Sequence, residues 1–373
     1  MPRWPISLAD ASGYNFSIDL GFPRRRFGLR WDSSIRGGSG KHVLLVLTVL
    51  LALHLACMHV AAAGPLLCLV LQWRQVHRED ALAGAVGRRL VQRSLEALLV
   101  GTLLGIAAGW VLANSNGYDL SGAVRQLSYK IYWGVAELVF YVACVGLYWR
   151  TWQTGRRSRP IRIFHGFLAV MASTNLLYHF PPLLTIFSLA SRGALPTRGP
   201  IDAHSFRQLL VSGEIAAKSL HFVGAAFVVT GIAVMWLAHR ESRIGSSPQS
   251  SQSDAQTTIR LGAWFALLAT FVQFPLGVWI IAELPIIAQQ RLLGLALLDT
   301  GLIGSALVLS LLLMHHLAAA AWGETQPGMI RRCVLLVSLV VLLMTGTMLR
   351  AKLGHELNHA QKAGGAASAD ATC

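Results

Sequence analysis

The sequence predicts an all-α protein, a polytopic membrane helix bundle of about eight transmembrane helices. Three observations predict it. Eight long apolar stretches run through the chain, and each is near the roughly 20 residues that a helix needs to cross a bilayer core. The composition is 54% hydrophobic and only 13% charged, with a mean hydropathy of +0.52, far from a soluble average. The arginines, finally, alternate in number from one loop to the next.

Span 1 runs from His42 to Trp73. A soluble helix would interrupt it with a polar stripe at helical spacing, whereas Leu44 to Leu71 carries only scattered His, Cys, Met and Thr. Span 2 runs from Arg93 to Ala113, span 3 from Tyr129 to Trp149 with Glu137 inside it, and span 4 from Ile163 to Leu189 with Pro181 and Pro182. Span 5 covers Leu209 to Leu237, span 6 Leu261 to Ala282, span 7 Leu292 to Ala321 and span 8 Cys333 to Leu349. Glu214 and Lys218, one turn apart near the start of span 5, read as a plain ion pair.

A net charge of +15 would suggest nucleic acid in a soluble domain, but its placement argues against such a partner here. The loops after spans 1, 3, 5 and 7 hold fifteen arginines in or beside them, and the opposite loops hold six Lys and Arg. The positive-inside rule puts the arginine-rich loops in the cytoplasm and both termini outside. The basic tails, Arg3 to Lys41 and Arg350 to Lys362, run against that assignment. No short apolar core with a small-residue cleavage site precedes span 1, so no signal peptide is expected.

The chain therefore divides into a basic tail (1–41), a bundle (42–350) and a C-terminal tail (351–373), without a separate soluble domain or a repeat. Ser242 to Gln256 reads as a flexible loop and Ala363 to Cys373 as disordered. Ser191 to Phe206, punctuated by Gly and Pro, reads as an outer loop able to cap an intramembrane site. The five cysteines show no C-x-x-C pair, which disfavours covalent c-type haem and a Cys-ligated zinc or iron-sulfur site.

The histidines carry the functional signal, because an ionisable ring in hydrocarbon is a functional hypothesis by default. His54 in span 1 lies roughly 12 Å beyond Val46, in the outer half of the core, and His221 in span 5 lies at comparable depth. Two such imidazoles offer neutral nitrogens to a haem iron, or else are hydrogen-bonded between helices. His59 is a rival to His54 on another face of the same helix, and His179 is a further buried candidate. Glu137, flanked by Val135, Ala136, Leu138, Val139 and Phe140, must be protonated, paired or metal-bound.

Taken in order, these residues resemble subunit I of the cytochrome bd quinol oxidases. In span 5, Lys218-Ser-Leu-His221 is similar to the family's K-x-x-H helix, whose histidine binds the low-spin b haem. In span 2, Gly105-Ile-Ala-Ala-Gly109 with Gly117 resembles the G-V-A-T-G helix and its following turn. Span 3 with Glu137 resembles the helix of two intramembrane glutamates, and Ala172-Ser173-Thr174-Asn175 in span 4 the family's small-residue and Asn patch. Span 1 resembles the helix with the high-spin haem ligand, where sequence spacing to Pro65 favours His59 and depth favours His54. The resemblance covers about residues 44 to 240.

Departures accompany it. Tyr129 stands where the family has a second glutamate, Glu283 to Arg291 runs almost directly into span 7 where the family has a quinol-binding loop, and Leu298 to Gly304 lacks the family's haem-ligating Met. Met314, His315 and His316 lie ten or more residues further on. The family's later G-R-Q-P-W motif has no counterpart.

The resemblance implies a divergent, shortened relative holding one or two b haems, with haem d a further option, in the bacterial inner (cytoplasmic) membrane. His221 would ligate a low-spin haem, His54 or His59 a high-spin haem, and Glu137 would carry protons or approach the iron. Electrons would pass from quinol, or from a periplasmic cytochrome, to oxygen, with a second membrane subunit as partner. Two alternatives stand beside it: a non-catalytic electron-transfer or structural subunit of a respiratory complex, and a haem-free proton-coupled transporter.

Overall fold

The computed structural model describes residues 39–114, 118–195, 199–244 and 250–370. Among them the only regular structure is helical, in the order α1 (Ser39–His77), α2 (Ala81–Ala113), α3 (Leu120–Gln126), α4 (Ser128–Arg150), α5 (Trp152–Arg157), α6 (Arg159–Thr174), a π-helical turn (Asn175–His179), α7 (Phe180–Ser191), α8 (Ala203–Leu210), α9 (Gly213–Ile244), α10 (Ser250–Ala282), α11 (Ile286–Gln290), a second π turn (Arg291–Leu295), α12 (Leu297–Trp322) and α13 (Pro327–Asp370). Eight segments among the described residues are long and apolar enough to cross a membrane, and they coincide with the eight expected spans. The protein is an all-α polytopic membrane bundle.

Its outer surface is what hydrocarbon requires. Leu103, Ile106, Val139, Ile163, Phe271 and Val278 each expose roughly two-thirds of their area. A soluble protein does not leave an apolar belt of that kind in water. Inside, one large core joins α1, α2, α4, α6, α9, α10, α12 and α13, and Ala61, Ala62, Ala63, Cys68 and Leu71 make the middle of α1 its most buried part. Small residues set the closest approach. A Cβ on Gly231 of α9 would fall 2.6 Å from the carbonyl oxygen of Gly262 on α10, and the reverse holds for Gly262. Backbone contact of this kind is how helices gain van der Waals energy where no hydrophobic drive separates them from lipid.

The connections obey ordinary capping rules. Asp80 closes the α1–α2 turn by accepting from the backbone N–H of Ala83 at 2.8 Å and from Arg74 Nη2 at 2.7 Å. Asp119 caps α3, and the N–H of Gly122 and the hydroxyl of Ser121 hold its carboxyl below the usual carboxylate range. The outer loop after α7 packs on α3, with Ile201 N–H donating to Gln126 O at 3.0 Å and Phe206 buried under Lys130.

Several expected boundaries move. Span 2 begins at Ala81, because Arg88, Arg89 and Arg93 extend the helix beyond its apolar part. Span 4 is two α-helices joined by the π turn: Pro181 and Pro182 cannot donate backbone hydrogen bonds, and the wider turn just before them absorbs the misfit. Residues 250–256, expected in a flexible loop, are the first two turns of α10. The expected disordered tail, from Ala363, is helical through Asp370. The basic tail lies outside the described residues as far as residue 38.

Candidate functional site

Three histidines come together between α1, α2 and α9. The helical register turns His54 toward α2 and His59 toward α9, since five residues rotate a helix by about 140°. His54 Nδ1 lies 2.7 Å from the carbonyl oxygen of Gly101, so Nδ1 carries the proton and donates it there. Nε2 is then the nitrogen with the free lone pair. That is how metal-binding imidazoles are oriented: the far N–H is fixed on a carbonyl while the other nitrogen faces the ligand position. Gly105, one turn further along α2, makes room for the ring, because a Cβ there would sit 2.8 Å from His54 Cε1.

His59 is buried, its ring 4.7 Å from that of Phe222 on α9, and its own carbonyl accepts from Thr230 Oγ1 at 3.1 Å. Phe222 follows His221 directly, which places His221 beside the same level of α1. His59 lies within electrostatic reach of both His221 and His54. The carbonyl of His221 accepts from Gln273 Nε2 at 2.8 Å, anchoring that turn of α9 to α10. The Nδ1 atoms of both His59 and His221 are buried without a hydrogen-bond partner. Leaving such a nitrogen unpaired costs about 1–3 kcal/mol, which a bound partner would offset.

These donors suit a haem iron. The set is neutral imidazole nitrogen with no thiolate, and a haem needs only one or two axial ligands from the protein. No group of three or more His, Cys, Asp or Glu able to cage a bare ion exists among the described residues. A shallow apolar crevice lined by Leu67, Leu71, Val234, Leu261, Gly262 and Phe265 lies toward the arginine-rich end of the bundle and is not formed by the histidines.

Glu137 belongs to a neighbouring cluster. Its Oε1 is 2.5 Å from His179 Nδ1, and its backbone carbonyl accepts from Asn175 Nδ2 at 2.7 Å. The π turn carries both partners, so the Pro181-Pro182 kink is what aims them at α4. Of the three fates open to a carboxylate in hydrocarbon, Glu137 takes pairing. His179 is not the buried residue expected from the sequence: its side chain is 48% exposed at the edge of the bundle, against 21% for Glu137. Tyr141, one turn further along α4, donates to Ala61 O at 2.6 Å, which sets Glu137 at a depth between those of His54 and His59 on the parallel helix α1.

Two polar clusters had no counterpart in the sequence reading. Asp299, fully buried at the start of α12, accepts from Arg291 Nη2 at 2.9 Å and Arg350 Nε at 2.6 Å. The signal was a lone acid in an apolar span with an arginine at either end of the pair of helices. His165, fully buried in α6, is bonded through both ring nitrogens, to Gln72 Nε2 at 2.9 Å and Thr151 Oγ1 at 2.8 Å. The rings of His315 and His316 on α12 are tilted against each other, with centroids 5.6 Å apart, and Glu214 and Lys218 form the expected pair.

No family model matches the chain, and no curated protein does. Among solved structures the chain is similar to bd oxidase from Geobacillus thermodenitrificans, with a TM-score of 0.60 at 14% identity, covering 84% of this chain and 86% of that one. At this identity the likeness is one of fold. Covering 84% of the chain, it extends past residues 44 to 240 into the last third or so, where the sequence shows no matching motif. The bundle that brings His54, His59 and His221 together thus has a distant bd-oxidase-like fold.

Proposed function

We propose that this chain is the haem b-binding membrane subunit of a bd-type respiratory terminal oxidase, passing electrons from quinol or another donor, such as a periplasmic cytochrome, through haem to oxygen. The observation that carries this reading is the convergence of three histidines on α1 and α9, His59 buried and His54 and His221 half-buried, one oriented by Gly101 and two with unpartnered Nδ1 atoms, within a bd-oxidase-like fold. The haem, when bound, supplies one-electron transfer and the chemistry of oxygen.

The chain's own residues hold and surround that group. His221 is the ligand proposed for a low-spin haem and His54 or His59 for a high-spin haem of type b or d. The hydrogen bond to Gly101 favours His54, because it leaves Nε2 free in a fixed orientation. Glu137 is the proton-handling group, its charge partnered by His179 at a depth where no water is at hand. A second membrane subunit and a place in the bacterial cytoplasmic membrane complete the proposal, with the arginine-rich loops inside.

One observation favours a different reading. An acid–imidazole pair open to the side of a bundle is also what a haem-free proton-coupled transporter would use. A dithionite-reduced minus air-oxidised visible spectrum of the purified protein separates the two. A b-type α-band with oxygen uptake on a quinol supports the oxidase, and a band without oxygen uptake supports a non-catalytic electron-transfer subunit. A colourless protein from haem-replete cells contradicts both.

A further inference from the structure

The two α1 histidines are not equivalent. With His54 held against Gly101 of α2, the turn of about 140° from His54 to His59 makes His59 the one that faces α9. Its carbonyl accepts from Thr230, and its ring leans back toward the start of the helix, as helical side chains do. There it lies 4.7 Å from the ring of Phe222 and within electrostatic reach of His221. His59 and His221 each bury an Nδ1 without a hydrogen-bond partner, whereas His165 is satisfied by protein on both nitrogens. The sulfur ligands that could compete lie elsewhere. Met58 Sδ is 2.9 Å from where a Cβ on Gly101 of α2 would stand, and Met235 packs in the same way on Gly262 of α10. Leu298 to Gly304 contains no Met at all.

We infer, on the haem reading proposed above, that His59 and His221 are the two axial ligands of one low-spin haem, a bis-histidine site between α1 and α9. His54 is then left to the high-spin haem. A low-spin iron takes two nitrogen or sulfur donors from the protein, and each of these rings brings a neutral nitrogen that adds no charge to the hydrocarbon. Both are held by contacts outside the pair: Phe222 packs on the ring of His59, and Gln273 Nε2 ties the carbonyl of His221 to α10 at 2.8 Å. A thioether opposite a histidine raises the potential of a haem, so two imidazoles make this a more reducing site than a histidine and a methionine would.

Electron paramagnetic resonance of the oxidised full chain, purified with its haem, tests the assignment together with a redox titration. The native protein is expected to show a low-spin haem signal. His59→Ala and His221→Ala are each expected to lose it, added imidazole to restore it in each, and His54→Ala to retain it. His59→Met, which keeps the bulk of the side chain and offers sulfur, is expected to stay low-spin with its midpoint potential shifted upward. A low-spin signal undiminished in His59→Ala, one lost in Met314→Leu instead, or an unshifted potential in folded His59→Met overturns the bis-histidine site and leaves haem binding itself standing. A native protein whose haem is entirely high-spin overturns it as well. A native protein without haem overturns the proposed haem reading along with it.

Discussion

A buried imidazole in a membrane is informative only when its two nitrogens are considered separately. His165 has partners on both and is satisfied by protein alone. His59 and His221 leave Nδ1 unpaired, and His54 has its Nδ1 proton fixed by Gly101. Gly105 tests whether that fixing matters. Its replacement by Ala drives a Cβ to 2.8 Å from His54 Cε1, whereas Ala at Gly109, one turn on, meets nothing within 4 Å. Gly105→Ala is expected to shift or weaken the haem absorption, and Gly109→Ala to leave it unchanged, although both gain about 1 kcal/mol of helix propensity. Equal spectra in the two variants would remove Gly105 from the site. The sequence made His54, His59, His221 and Glu137 legible because they interrupt apolar runs. It could not show that Glu137 pairs with His179, 42 positions away, because that contact depends on the π turn.

Among the elements, the outer ends of α12 and α13 are joined by a buried charge. Asp299 has no exposure and takes one arginine from before its own helix and one from the end of the next span. Asp299→Ala leaves Arg291 and Arg350 facing each other without the acid, a loss of roughly 2–3 kcal/mol, set at the low end because both arginines are partly exposed. A lower thermal midpoint in detergent is expected, smaller for Asp299→Asn, and an unchanged midpoint would show the clamp to be dispensable. Element positions were legible from hydropathy alone, since each span is set by bilayer thickness. Ends and kinks were not. Helices such as α2 and α10 run on past the apolar window through Arg, Ser and Gln, residues that hydropathy counts against a span but that helices tolerate.

At the scale of the whole molecule, the distribution of arginine predicts which way the bundle faces. A cysteine at Ser121, in the arginine-poor connection between spans 2 and 3, is expected to react with a membrane-impermeant maleimide added to intact cells; one at Gln153, between spans 3 and 4, is expected to be protected, both in a background without native cysteines. The reverse pattern would invert the bundle. The fold likeness to bd oxidase spans 84% of the chain although identity is 14%, which fits a membrane bundle where apolar residues exchange freely and only contacts such as Gly231 on Gly262 restrict the choice. That freedom is why motif order was readable over spans 1 to 5 and fell silent over spans 6 to 8.

The central claim is that His54, His59 and His221 surround a haem, and the most direct measurement is the haem-to-chain ratio of the purified protein, compared with His54→Ala, His59→Ala and His221→Ala. The expected result is at least one haem per chain in the native protein and a clear loss in His221→Ala and in one of the two α1 variants, with all chains still folded. A ratio near zero in the native protein, or one that none of the three substitutions lowers, would contradict it.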